Sequence, residues 1–292
     1  MGEFDADWLT IRESADAAAR SVAVTDAVAE HLASRVGPGS ELSILDLGSG
    51  TGANLRYLAG RLPRPQCWRL VDRDAVLLAQ VLPRVSAWAT GRGAIVSGTP
   101  CGTVVRGSDL DCRIEVRRVD LARLDRADLF GGRALVTASA LLDLVSARWL
   151  HQLAEACGGV GAVVLFVLTY DGRWSCTPED RSDETVRQLV NRHQHSVKGF
   201  GRALGPDATG HAARAFEAVG YEVQSASSDW RLGPTDGVLQ RALIEGWSTA
   251  ARQIDPSSAD AIEAWRARRL AWVGEAVSQI DVGHSDLAAW RG

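Results

Sequence analysis

Three glycines at alternate positions follow an acidic residue in the segment SILDLGSGTGANLRYLAG, residues 43–60. The acid is Asp46, and the glycines are Gly48, Gly50 and Gly52. An apolar run ends at the acid and a helical pattern begins after the last glycine, so the glycines occupy a strand-to-helix turn. Glycine lets the backbone turn sharply and approach a ligand without Cβ clashes. The segment therefore predicts a cradle for a nucleotide-like cofactor, and the alternative is a turn that only packs tightly.

The spacing of these glycines separates two classes of cofactor. The dinucleotide fingerprint is GxGxxG, whereas this sequence has GxGxG with an acid two residues before the first glycine. That order resembles motif I of the class I S-adenosylmethionine (SAM)-dependent methyltransferases. The resemblance implies SAM as the cofactor, with Asp46 near the methionine amino group and Ser49 in the cofactor-binding turn. It disfavours an NAD-dependent oxidoreductase.

Two further acids follow predicted strands, and they support the same cofactor. Asp72 ends the second strand, where an acid can accept hydrogen bonds from both ribose hydroxyls, and Arg73 follows it. Asp120 follows the third strand, and the resemblance places it against the adenine amino group with Leu121 on the ring. Either acid could instead cap the next helix. Acids at one edge of a parallel sheet nevertheless favour a ligand site.

The resemblance also assigns expectations to the N-terminal segment and to the end of the fourth strand. Residues 1–40 are predicted to form a helical cap in which Arg20 or Arg12 meets the methionine carboxylate, because a guanidinium binds a carboxylate bidentately. A solvated helix face is the alternative. Ser139 is expected beside the sulfonium. Asp143 is a candidate catalytic residue that faces the substrate or, alternatively, caps the next helix.

Residues 170–206, after the fifth strand, are predicted to form a lid over the substrate. His193 is the candidate general base, because imidazole titrates near neutrality. No metal site is expected from His193 and His195, since side chains two positions apart on a helix point away from each other. Lys198, the only lysine, either pairs with an anionic substrate or is a solvated charge. The candidate substrate-binding residues are Tyr170, Trp174, His195 and Lys198.

The order of predicted elements indicates the fold. Strands alternate with helices, which is typical of a doubly wound α/β fold with a mostly parallel sheet and helices on both faces. The prediction is a seven-stranded sheet in a class I methyltransferase domain over residues 41–292. Residues 91–109 form an unusually long connection that is either a surface hairpin or an oligomer contact. The predicted strands cover residues 42–47, 68–71, 114–119, 134–138, 160–169, 221–232 and 278–290.

The composition limits the classes of binding partner and the cellular location that we expect. The 292 residues are 46% hydrophobic, enough to bury a substantial core, and the net charge of −4 disfavours a nucleic-acid partner. No apolar run is long enough to span a membrane and the N-terminus is acidic, so a cytoplasmic monomer or homodimer is expected. Five cysteines without a CxxC pair indicate neither a zinc site nor a disulfide framework.

These observations together predict methyl transfer from SAM to an O, N or C nucleophile of a small biosynthetic metabolite. The sulfonium is already activated, so such an enzyme mainly supplies alignment and, where needed, a base. The segment TASALLDLVS lacks the Asn/Asp-Pro-Pro-aromatic tetrapeptide of methyltransferases that act on amino groups of nucleic-acid bases. Two alternatives stay open: methylation of a protein or RNA, and SAM binding without catalysis.

Overall fold

The computed structural model describes residues 6–37, 39–99, 102–124 and 127–292. The described residues form one large sheet and a two-stranded hairpin. The strands are β1 Leu42–Leu47, β2 Gln66–Asp72, β3 Ile95–Thr99, β4 Gly102–Arg106, β5 Asp111–Arg118, β6 Leu135–Ser139, β7 Val163–Thr177, β8 Val197–Lys198, β9 Gly201–Arg202, β10 Glu222–Ser227, β11 Trp230–Leu232 and β12 Gln279–Trp290. The helices are α1 Ala6–Ala19, α2 Val22–Arg35, α3 Ala53–Leu58, α4 Ala75–Gly91, α5 Ala127–Phe130, α6 Ala147–Val160, α7 Asp183–Gln194, α8 Ala208–Ala218, α9 Gly237–Ile254 and α10 Ala259–Gly274.

The large sheet has the order β10-β12-β7-β6-β1-β2-β5-β4-β3, and β11 also pairs with β12. The five strands from β7 to β5 are parallel, and β12 runs antiparallel to β7 and to β10. The chain order reverses at β1, which lies between β2 and β6, and this is the point where ligands bind in open α/β sheets. The predicted doubly wound, mostly parallel seven-stranded fold is confirmed, with β3, β4 and β11 as additions.

Helices cover both faces of the sheet because each face is apolar. One core cluster joins the sheet to α6 and α8 and includes Leu150, Leu153 and Phe216. The opposite cluster joins it to α2, α3 and α4 and includes Val28, Leu55 and Val81. Burial of this kind stabilises the fold by about 25 cal/mol for each Å² of apolar surface removed from water.

A third apolar cluster lies between α1, α7, α9 and α10 and the extended ends of β7 and β12. Trp247, Ile262, Trp265 and Val273 are buried in it, as the helical spacing of the apolar residues on α9 and α10 predicts. Trp272 is only partly buried and lies under the guanidinium of Arg269. This cluster builds a helical layer above the carboxyl ends of the parallel strands.

Two strand predictions differ from the structure. The fifth predicted strand continues to Thr177 as β7, because β12 pairs along its whole second half, up to Gln279 opposite Thr177. Tyr170 and Trp174 are therefore strand residues and not part of a loop-like lid. The predicted sixth strand is two strands, β10 and β11, both antiparallel to β12.

Within residues 91–109, the strands β3 and β4 pair as a hairpin and extend the sheet beyond β5 in antiparallel order. Residues 100 and 101, including Cys101, lie outside the described residues. The hairpin alternative for this insertion is thus confirmed. Among the described residues, no helix is both long and apolar enough to cross a bilayer.

Candidate functional site

The glycine turn between β1 and α3 has the backbone conformation that glycine favours. Gly48, Gly50 and Gly52 have φ angles of +64°, +52° and +81°. The carboxylate of Asp72 holds the turn in place, because one of its oxygens accepts a hydrogen bond from Gly50 N at 2.9 Å. The helix α1 covers the turn, since a Cβ atom on Gly50 would lie 3.0 Å from Leu9 Cδ1. A side chain at position 50 is thus disfavoured both by the positive φ angle and by the close contact with Leu9.

A buried charged cluster lies beside this turn, below the end of β1. Asp46 is fully buried, and its Oδ1 accepts a hydrogen bond from Asn54 Nδ2 at 2.9 Å. Asn54 Oδ1 in turn accepts one from Arg20 Nη1 at 3.0 Å. Burial raises the pKa of Asp46 to about 7, although the bond from Asn54 and the charge of Arg20 act in the opposite direction. Desolvation also lowers the pKa of Arg20.

Several polar atoms of the cluster have no hydrogen-bond partner. They are Asp46 Oδ2 and the Nε and Nη2 atoms of Arg20, all of them buried. Arg20 Nε lies 3.8 Å from Asp286 Oδ2, which is an ion-pair distance and too long for a hydrogen bond. Buried polar groups are otherwise almost always satisfied, and each orphan costs about 1–3 kcal/mol. A ligand that donates to Asp46 and accepts from Arg20, such as the ammonium and carboxylate of an amino acid, matches these atoms.

A cavity of about 280 Å³ opens beside the cluster, and we call it the arginine cavity. It is lined by Arg20, Asn54, Tyr57, Ser139 and Leu168, among others. The structure therefore brings together Arg20 and Ser139, two of the predicted cofactor-binding residues. The Arg20 guanidinium stacks on Tyr57 with its Cζ 4.3 Å from the ring centroid, which fixes its direction.

A second cavity, also of about 280 Å³, lies under the helical layer, and we call it the aromatic cavity. Leu168 lines both cavities, so the two adjoin at this residue. Leu168 and Ala140, which lines the aromatic cavity, have positive φ angles of +54° and +51°. Such strained positions of non-glycine residues cluster at functional sites. The aromatic cavity is lined by rings of Trp8, Tyr170, Trp230 and Trp247 and by the polar groups of Arg12, Asp143, His193, Gln194, Lys198 and His284.

Asp143, Lys198 and Arg12 are the buried charged residues that line this cavity, and Asp143 and Lys198 lie on the side of β6 and the β8–β9 hairpin. Asp143 follows β6 and is 7% exposed, and its Oδ1 has no hydrogen-bond partner. Burial raises the pKa of Asp143, and the charge of Lys198 partly offsets this. Lys198 is 8% exposed and donates to Gln194 Oε1. The alternative that Lys198 is a solvated surface charge is therefore wrong.

His193 lies at the wall of the aromatic cavity, on α7. Its Nε2 is 2.9 Å from Gln253 Oε1 of α9, so Nε2 carries the proton in this contact. Desolvation lowers the pKa of His193, which favours the neutral ring at neutral pH. His193 stays a candidate base through Nδ1, whereas Asp143 is the more deeply buried acceptor.

Two of the predicted substrate residues lie outside the aromatic cavity. Trp174 stacks on Trp247 with 4.4 Å between ring centroids and belongs to the core behind the cavity wall. His195 ends α7 on the outer side of the hairpin, where its Nε2 lies 3.7 Å from Asp207 Oδ2. Tyr170 does line the cavity, and its hydroxyl donates to Asn191 Oδ1 at 2.8 Å.

The two candidate arginines of the N-terminal segment lie at different sites. Arg12 points into the aromatic cavity, where it pairs with Asp16 at 2.8 Å and lies over the ring of Trp230. Arg20 lies in the break between α1 and α2 and donates to Asn54, which in turn donates to Asp46. Only Arg20 is thus placed beside the acid of the glycine motif.

The remaining predicted cofactor residues line neither of these two cavities. Asp120 is exposed, and its Oδ1 accepts a hydrogen bond from Ala122 N at 3.0 Å within a turn, so it does not cap a helix there. Leu121 is buried, and its carbonyl accepts from Trp149 Nε1. Arg73 is exposed, with its guanidinium against Gly199 of the β8–β9 hairpin. The hydroxyl of Ser49 is buried without a partner.

Sequence reasoning missed Asn54 and His284. Asn54 stands two residues after the last glycine, a spacing that places it in the first turn of α3 directly behind the motif. It also donates to Thr137 Oγ1 at 3.1 Å. His284 lies on β12 in the aromatic cavity, and burial lowers its pKa to about 3. No local pattern marks His284, because it reaches the cavity only through pairing with β7. Among the described residues, no group of three or more His, Cys, Asp or Glu side chains could hold a metal ion.

Replacing Asn54 with alanine is expected to reduce the free energy of unfolding by about 1–3 kcal/mol, because three buried hydrogen bonds are lost and Asp46 loses its donor. Urea denaturation of the full chain measures this loss. The control is Gln188→Ala on the exposed face of α7, with an expected change within about 0.5 kcal/mol. Equal stability of Asn54→Ala and wild type would show that Asn54 does not hold the cluster.

No protein-family model matches the sequence, and no curated protein matches it. Among solved structures, the chain is similar to a SAM-dependent methyltransferase from Geobacter sulfurreducens in complex with S-adenosyl-L-homocysteine, with 14% identity, 100% coverage of both chains and a TM-score of 0.46. A SAM-dependent methyltransferase from Thiobacillus denitrificans, also with S-adenosyl-L-homocysteine, is 12% identical, with 99% of this chain and 100% of that chain covered and a TM-score of 0.45. A cyclopropane synthase from Mycobacterium tuberculosis is 11% identical, with 90% and 83% covered and a TM-score of 0.43.

The strand order of this chain establishes its fold. Its sheet is the Rossmann-like, doubly wound sheet that the resemblance to class I methyltransferases implies.

Proposed function

We propose that this protein is a SAM-dependent methyltransferase that acts on a small molecule. The observation that carries the proposal is the set of unpartnered buried atoms, Asp46 Oδ2 and Arg20 Nε and Nη2, next to the glycine turn. In this proposal Asp46 accepts a hydrogen bond from the amino group of the methionine part of SAM, and Arg20 binds the carboxylate of the same part. Asn54 keeps the two charged groups apart and in register, because it bonds to both.

The other predicted cofactor residues complete this proposal. Asp72 fixes the glycine turn and keeps acceptor capacity for ribose hydroxyls, since it is only partly buried. Asp120 and Leu121 are proposed for the adenine, and Ser139 lines the arginine cavity. When bound, SAM supplies an activated methyl group.

The aromatic cavity is the proposed substrate site, because it meets the arginine cavity at Leu168. Its rings exclude water and orient a substrate, which is most of what this chemistry requires from the protein. Asp143 is the proposed base for a substrate proton, because it lines the cavity and its Oδ1 is buried without a hydrogen-bond partner. His193 and Tyr170 position the substrate from α7 and β7.

Two further features favour a small molecule over a protein or RNA. The cavity is lined by residues of α1, α7, α9 and the β8–β9 hairpin, and its volume of about 280 Å³ suits a ligand of modest size. The chain also has a negative net charge, whereas RNA-binding surfaces are basic. A cytoplasmic location and a role in biosynthesis belong to the same proposal.

The test of this proposal is incubation of the full chain with methyl-labelled SAM and three separate acceptor pools: small metabolites, protein and RNA. We expect label in the small-metabolite pool only. Label in protein or RNA would favour the alternative acceptors. Binding of S-adenosylhomocysteine without label in any pool would favour a SAM-binding protein without catalysis.

The affinity for S-adenosylhomocysteine is expected to depend on pH through Asp46. Its pKa is raised to about 7 in the free protein, so at lower pH the carboxyl must lose a proton before it can bind an ammonium. Affinity should therefore be about tenfold weaker at pH 6 than at pH 8, from the 1.36 kcal/mol that one pKa unit represents. Calorimetry in two buffers of different ionisation enthalpy also measures the released proton. A flat profile from pH 6 to 8 would contradict this role of Asp46.

A further inference from the structure

The charges that face the aromatic cavity point to the sign of its ligand. Arg12 is already paired with Asp16 through two hydrogen bonds. Lys198 forms no ion pair with any acid among the described residues, and its Nζ donates to the neutral Gln194. Lys198 is therefore a buried cation whose charge is not matched by a bonded anion.

None of the other titratable groups of the cavity bonds to Lys198. His193 and His284 have pKa values lowered by burial, so both are neutral at pH 7. The charge of Asp143 acts on Lys198 from across the cavity, but no hydrogen bond or ion pair joins the two, and burial lowers the pKa of Lys198. A buried cation of this kind costs free energy unless an anion approaches it.

The rings of the cavity argue against a cationic ligand. Two of these rings, Trp8 and Trp230, already have the Arg12 guanidinium over them, with Cζ 5.7 Å and 4.9 Å from the ring centroids, and its positive charge would repel a second cation there. The α9 side of the wall is apolar and includes Leu243 and Trp247. A volume of about 280 Å³ is at the small end for ligand sites and suits one or two rings.

We propose that the substrate is a small planar apolar acid, with one or two rings and a carboxylate or similar anionic oxygen group that Lys198 binds. This inference rests on the proposed function, because it assigns the aromatic cavity to the methyl acceptor. Asp143 Oδ1 then has room to accept a hydrogen bond from a hydroxyl or amine of the same ligand. The β8–β9 hairpin carries Lys198 and is held by Phe200, whose ring meets that of Trp149 edge-on at 5.3 Å. The anion site thus lies on an anchored segment.

The test uses three probes of one shape: naphthalene-2-carboxylate, the neutral 2-naphthalenemethanol and the cationic 2-naphthylmethylammonium. Each is titrated into the full chain at pH 7.5 and followed by calorimetry and by tryptophan fluorescence. We expect the affinity for the carboxylate to be at least about tenfold higher than for either other probe, because it can form a charge-assisted hydrogen bond to a buried cation. Equal binding of the three, tightest binding of the cation, or binding of none would overturn the proposal.

Two variants assign the preference to the proposed residue. Lys198→Met should remove the preference for the carboxylate, and Lys198→Arg should keep most of it. Arg202→Gln is the matched control, because it removes an exposed positive charge from the same hairpin outside the cavity. An unchanged preference in Lys198→Met, with the variant folded by circular dichroism, would also overturn the proposal.

The same samples separate this inference from the proposed function. Each is titrated with S-adenosylhomocysteine, which binds at the arginine cavity in our proposal. Cofactor binding without a carboxylate preference would contradict the substrate class alone. A carboxylate preference that depends on Lys198, without any binding of S-adenosylhomocysteine, would support the anion site and contradict the methyltransferase proposal.

Discussion

Substitution of Asp46 by asparagine is expected to weaken binding of S-adenosylhomocysteine by about 2–5 kcal/mol, the usual loss when one partner of a buried charged pair is removed. Asparagine keeps an oxygen that can accept from Asn54 Nδ2, so the local packing is preserved. It removes both the negative charge and the unpartnered acceptor Oδ2 on which the proposal depends. Calorimetric titration at pH 8, where Asp46 is ionised in the wild type, measures the loss.

The matched control is Asp128→Asn, which changes an exposed carboxylate of α5 far from the glycine turn. Its affinity for S-adenosylhomocysteine should equal that of the wild type. If Asp46→Asn also bound with wild-type affinity and lost no pH dependence, the buried cluster would not be the methionine site.

Substitution of Asp143 by asparagine is expected to lower turnover by about 10²-fold or more, the typical contribution of a general base. The side chain is buried in the aromatic cavity with an unpartnered Oδ1, and burial raises its pKa. Turnover of the wild type should therefore rise with pH as this carboxyl loses its proton, and the variant should lack that rise. The measurement is kcat from pH 5.5 to 9 on the acceptor found by labelling.

His193→Gln is the matched comparison for Asp143, because His193 lines the same cavity but holds Gln253 through Nε2. We expect a smaller fall in kcat, and unchanged affinity for S-adenosylhomocysteine in both variants. A larger loss in His193→Gln, with normal turnover in Asp143→Asn, would move the base to the histidine. Normal turnover in both would remove the aromatic cavity from the proposed active site.

The parts of the site that the sequence predicts well are those set by local backbone geometry. Asp46 and the glycines follow from one strand, one turn and one helix, which are continuous in the chain. Their positive φ angles are the physical reason for the glycines, so the motif could be read directly. The alternation of strands and helices likewise predicts the parallel part of the sheet.

The parts that the sequence leaves open depend on contacts distant in the chain. The length of β7 is set by β12, more than a hundred residues later, and this pairing places Tyr170 on a strand. The choice between Arg12 and Arg20 depends on the break between α1 and α2, where Ser21 N donates to Asp286 Oδ2 of β12 at 2.8 Å. The burial of Lys198 depends on how its hairpin packs on α6. None of these contacts leaves a periodic signal.

The central claim is that the cofactor is SAM, and separate titrations with two ligands test it most directly. S-adenosylhomocysteine and NAD⁺ are each titrated into the purified full chain by calorimetry at pH 8. We predict one site of micromolar-range affinity for S-adenosylhomocysteine and no heat of binding for NAD⁺. Tight binding of NAD⁺ without binding of S-adenosylhomocysteine would contradict the assignment of Asp46, Arg20 and the glycine turn to SAM.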